Sequence, residues 1–108
     1  MSNATTFLHL VYFYPAANPG ADDAENLIAG IKKHLPTIPS VLRLDAGTPA
    51  GTPRDVVDNS YLVALFVEFA DAAGHDVYNI HPDHLLFIEE NKQYWSSVKI
   101  YDSLVTRG

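Results

Sequence analysis

The chain has 108 residues, 47% hydrophobic and 19% charged, with a formal net charge of −6 (histidines neutral) and no cysteine. That length accommodates one domain, residues 1–108, built on one core. The acidic balance argues against nucleic acid or an anionic membrane surface as partner, since Lys32-Lys33 is the sole adjacent basic pair.

Without cysteine there are no disulfides, no thiolate nucleophile and no thiolate metal ligands. No apolar run approaches the ~20 residues that span a bilayer. Residues 1–6 lack the positive charge and apolar run of a secretory leader. A cytoplasmic location is the expectation.

Phe7 to Tyr14 is apolar on both alternating sets: Phe7, His9, Val11 and Phe13 on one, Leu8, Leu10, Tyr12 and Tyr14 on the other. A strand of this kind needs cover on both faces. Pro15 to Gly20 is a turn. Asp22 and Glu25 have the spacing of a capping box, and the helix they open carries Leu27, Ile31 and Leu35 at steps of four. Lys32, Lys33 and His34 suit its negative C-terminal end, and Pro36 and Pro39 stop it.

Ser40 to Asp45 reads as a short strand, followed by a long loop from Ala46 to Asn59 that repeats Ala-Gly-Thr-Pro twice. Connections in compact domains usually run about 4–6 residues, so this one is either a binding lid or an unconstrained hairpin end. Tyr61 to Phe69 is the strongest strand, with Tyr61, Val63, Leu65, Val67 and Phe69 on one face and Leu62, Ala64 and Phe66 on the other. Asp71 to Asn79 forms a short helix with Asp71 as N-cap.

The His81-Pro82 step marks a boundary, because proline disfavours helical geometry in the residue before it and suits the first helical position. From His84, in the first turn, the helical period continues through Ile88 and Asn91 to Trp95. His84 therefore shares an inward face with Ile88 and Trp95. Ser96 to Val105 is a last strand, with Val98, Ile100 and Leu104 opposite Tyr101 and Val105.

The order strand, helix, strand, strand, helix pair, strand is the split βαβ pattern: an α+β, ferredoxin-like protomer with a four-stranded antiparallel sheet and helices on one face. The sheet face without helices is still apolar, so a second copy is expected to cover it, giving a homodimer through sheet faces.

Several stretches resemble the stress-responsive A/B barrel (Dabb) family of the dimeric α+β barrel superfamily. They are Phe7–Phe13, the Ile38-Pro39-Ser40-Val41 step, Tyr61–Phe69 and above all Tyr78-Asn79-Ile80-His81-Pro82-Asp83-His84. The resemblance implies a dimeric α+β barrel. One characterised member of that family, a plant polyketide cyclase that forms olivetolic acid, closes a linear polyketide without metal or cofactor. By resemblance its catalytic histidine falls on His84 and the partnering tyrosine on Tyr78, while a first-strand histidine falls on His9. A further pocket histidine of that enzyme falls near Val63, which makes this wall apolar here.

The expected chemistry is acid–base catalysis without a cofactor on a small carbonyl or aromatic compound, in an apolar pocket. His84 would be the general base and Tyr78 the donor to a carbonyl or enolate oxygen. His9, Ile88, Val63 and Trp95 would contact the substrate. The alternatives are a non-catalytic dimeric module, small-ligand-binding or stress-associated, and a cofactor-free monooxygenase such as others in the superfamily. His81 and His84, joined by His75 and His9, raise the question of a metal. His81 precedes the helix, however, and no helical carboxylate accompanies the pair as in HExxH, so no metal is expected.

Overall fold

The computed structural model describes residues 5–106. The leader reading therefore rests mostly on residues 1–4, outside the described part. The elements run β1 (Thr5–Pro15), α1 (Asp23–His34), β2 (Arg43–Gly47), β3 (Val63–Phe69), α2 (Ala72–Ile80), α3 (Pro82–Asn91) and β4 (Trp95–Thr106). Short 3-10 turns at Leu35–Thr37 and Lys92–Tyr94 follow α1 and α3.

The four strands form one antiparallel sheet in the order β2-β3-β1-β4, the ferredoxin-like arrangement expected from the element order. Residues directly opposite in an antiparallel pair share a face. Phe7, His9, Val11 and Phe13 of β1 stand opposite Phe69, Val67, Leu65 and Val63 of β3, and all these β3 residues are buried. Leu27, Ile31 and Leu35 at the end of α1, with Tyr78 of α2 and Phe87 of α3, close the core over this face. Each large side chain so buried contributes roughly 1.5–3 kcal/mol.

The helices stop short of β4. Val98, Ile100 and Leu104 lie on its helix side, opposite Phe13, Val11 and Phe7, yet are 41%, 49% and 71% exposed. On the other face of the sheet Leu8, Leu10, Tyr12 and Tyr14 are only partly covered.

Several local expectations change. Asp22 holds the N-cap position of α1 without a side-chain cap bond; instead the Asp23 carboxylate accepts from the Gly20 N–H at 2.9 Å. His34 is buried, and its Nε2 lies 2.7 Å from Glu90 Oε1, so it ties α1 to α3 rather than only complementing a helix end. Tyr61 precedes β3 and falls on the opposite face from Val63, its ring 5.0 Å from that of Tyr12. Trp95 is the first residue of β4, not a continuation of α3; its ring packs on Phe13 at 4.8 Å.

Candidate functional site

The joint between α2 and α3 is one residue, His81. It is C-cap of the first helix and N-cap of the second, with φ −65° and ψ 137°. Its Nδ1 accepts from the Asp83 N–H at 3.1 Å, and Pro82 at the next position needs no partner for a missing N–H. Asp71 caps the other end of α2, accepting from the Gly74 N–H at 3.0 Å. These two caps fix where Tyr78, near the end of α2, and His84, in the first turn of α3, meet. Their ring centroids are 4.5 Å apart.

Both rings border a cavity of about 290 Å³ between the helices and the sheet. His9, Val11, Phe13 and Leu65 form its floor, Asn79, Phe87 and Ile88 its helical wall, and Trp95, Val98 and Ile100 its β4 side. It is at the small end of the ~300–1,000 Å³ range of ligand pockets and has their usual make-up, apolar with few polar groups. A larger groove of about 450 Å³ runs over the opposite sheet face, lined by Leu10, Tyr12, Tyr14, Asp58, Tyr61, Lys99 and Tyr101. That groove is shallower and carries no histidine. The enclosed cavity is the better candidate site.

Of the six expected site residues, the cavity brings together His84, Tyr78, His9, Ile88 and Trp95. Val63 is fully buried in the core beneath and is not part of the cavity lining. His81 lies outside it as well, serving as a cap. The β2–β3 loop supplies nothing to it either: Asp58 and Tyr61 sit at the groove on the far face, so the loop is no lid for this cavity.

The polar groups are held in defined states. His84 Nδ1 lies 3.1 Å from the carbonyl oxygen of Asn79, which can only accept, so this nitrogen carries the proton and Nε2 of the neutral ring is the acceptor. Burial pushes its pKa below the ordinary value, and the nearby imidazoles of His9 and His75 add to the shift against the opposing Asn79 bond. Burial raises the Tyr78 phenol well above its ordinary value, which keeps it a protonated donor.

His9 Nδ1 is 2.6 Å from Asp102 Oδ1, again leaving Nε2 as acceptor when the ring is neutral. Burial lowers its pKa although the carboxylate works the other way. Asp102 escaped the sequence reading. The signal was present: it interrupts the apolar alternation of Val98, Ile100 and Leu104, and the register sets it opposite His9.

The stress responsive A/B barrel domain (Dabb) model matches residues 7–105. No curated protein matches the sequence. Among solved structures, a Dabb family protein with a ferredoxin-like fold from Mesorhizobium loti superposes with TM-score 0.74 at 22% identity, over 95% of this chain and 99% of that one. A dimeric ferredoxin-like protein of unknown function from Thermobifida fusca gives 0.78 at 17% identity, over 97% and 95%. The hydroxynitrile lyase of Passiflora edulis gives 0.80 at 14% identity, over 97% of each chain. At these identities the structures speak for the fold, and the sequence match supplies the family: the chain belongs to the stress-responsive A/B barrel (Dabb) family.

Proposed function

We propose that the cavity performs acid–base chemistry without a cofactor on a small carbonyl or aromatic compound, with His84 as general base and Tyr78 as hydrogen-bond donor to the oxygen where negative charge develops. The pairing of these two rings at 4.5 Å on the cavity wall carries the reading. Its basis is physical. A buried imidazole with a lowered pKa stays neutral near neutral pH, so its free nitrogen is available as a base, and a buried phenol that resists ionisation donates a hydrogen bond to an enolate or alkoxide. Val11, Leu65, Phe87, Ile88, Trp95 and Ile100 would exclude water from an apolar substrate. A hydroxynitrile lyase stands among the similar folds, and cleavage of a hydroxynitrile is acid–base chemistry at a carbonyl-derived hydroxyl group.

We further infer that the working form is a homodimer through the open sheet faces, as its structural neighbours are described as dimeric.

The test is a screen of small aldehydes, ketones and β-dicarbonyl compounds for proton exchange, addition or ring closure. A turnover found this way is expected to fall about 10²–10⁴-fold in His84→Ala and about 10²–10³-fold in Tyr78→Phe, with ligand binding retained. Binding of such compounds without turnover in the wild type, or turnover unchanged in His84→Ala, would instead favour a non-catalytic ligand module.

A further inference from the structure

At one edge of the cavity His9 meets two side chains that the proposed reaction does not use. Asp102 stands on the helix side of β4, its carboxylate 37% exposed and in contact with His9 Nδ1. His75, from α2, stacks on Phe7 with centroids 4.7 Å apart and tilts against His9 at the same separation. The Nε2 atom of His75 is buried and has no hydrogen-bond partner among the described residues. A polar atom left in that state is destabilising, and native structures tolerate few of them.

One donor atom each from His9, His75 and Asp102 can be chosen so that all lie within 4.8 Å of one another. We propose that these three residues form a binding site for a divalent transition metal, with zinc the best match. The donors are two imidazoles and one carboxylate. That mixed nitrogen–oxygen set suits zinc and its first-row neighbours, whereas calcium and magnesium seek six or more oxygens. Bonds of about 2.0–2.2 Å around a tetrahedral centre place donor atoms ~3.3 Å apart. The cluster reaches that spacing by drawing its widest pair, at most 4.8 Å apart, together by about 1.5 Å. Asp102, on the edge strand β4, is the most exposed of the three.

Binding would satisfy the orphaned His75 nitrogen and replace the His9–Asp102 hydrogen bond with a shared ion. Three protein ligands also leave the fourth position open. The sequence reading weighed His81 and His84, joined by His75 and His9, and expected no metal; the cluster keeps His75 and His9, contains neither His81 nor His84, and depends on Asp102, which only the strand register brings near.

The full-length protein, stripped with a chelator and dialysed, is titrated calorimetrically with zinc chloride and spectroscopically with cobalt(II). One equivalent per chain is expected, with cobalt absorption bands in the visible range. His75→Ala and Asp102→Ala lose that binding, while His84→Ala and the distant His34→Ala keep it. Retention in His84→Ala separates this site from the proposed catalytic pair, whose failure would leave metal binding untouched. Should a variant fail to fold, imidazole nitrogen resonances of the wild type decide: zinc should move those of His9 and His75 and spare those of His34. Absence of stoichiometric binding by the wild type, or binding that His75→Ala and Asp102→Ala leave intact, overturns the proposal.

Discussion

His84 and Tyr78 show one desolvated environment acting in opposite senses on a base and an acid. Removing water favours the neutral form of each, which for histidine lowers the pKa and for tyrosine raises it. For His84 the groups in play are the Asn79 carbonyl and the imidazoles of His9 and His75. The acid limb of any His84-dependent rate is therefore expected to lie below the ordinary histidine value of about 6.5, and a pH–rate profile checks it. An acid limb above that value would mean that His84 is not the base. The same shift acts on stability. The unfolded chain takes up the proton first, so the contribution of His84 is fully present above about pH 6.5 and is lost as pH falls through its lower folded value. A melting temperature that falls on acidification, less steeply in His84→Gln, is the expected reading.

At the scale of elements, the close approach of α1 to α3 is what holds the helical layer together. A Cβ on Gly30 would overlap the Asn91 side chain, coming within 2.6 Å of its Cγ, and Asn91 is buried with its amide donating to the Phe87 carbonyl at 2.9 Å. Gly30→Ala gains helix propensity but overpacks this contact. A net destabilisation of about 1–3 kcal/mol is expected in chemical denaturation.

Much of this layer was legible in the sequence, since Leu27, Ile31 and Leu35 announce one buried stripe and His81-Pro82 marks the break between two helices. What escaped was set by distance in space. The bond from His34 to Glu90 spans 56 positions and that from His9 to Asp102 spans 93, so no local pattern encodes either. The misplacement of Trp95 has a similar origin: a helical period extended past Asn91 cannot register that the chain changes to strand geometry. Val63 was assigned to the site by family position. Its side chain indeed faces the helices, but it is consumed by the core.

For the whole molecule, the dimensions are those of a slab, 49 × 37 × 18 Å. Its radius of gyration of 14.6 Å exceeds the ~13 Å expected for a compact chain of this length. One sheet and one helical layer make up the fold, and the open sheet face carries Leu10, Tyr12, Tyr14 and Tyr101, with Arg43 over the Phe66 ring at 4.5 Å. A protein flattened in this way is well suited to back onto a copy of itself. Leu10→Asp, which sets a charge in the middle of that face and leaves the cavity intact, is expected to give a monomer by light scattering at micromolar concentration. A wild type already monomeric there would remove the dimer.

The exposed apolar side of β4 bears on how the protein would respond to the apolar ligand proposed for its cavity. Val98 and Ile100 are half open to solvent although they border the cavity, so that stretch of the interior lacks its covering layer. An apolar guest lodged there would complete it, and in doing so would take the place of side chains the chain does not possess. Occupancy then adds to fold stability in proportion to the logarithm of guest concentration, and its arrival lowers the heat capacity as the uncovered surface dries. The filled protein is the sturdier one.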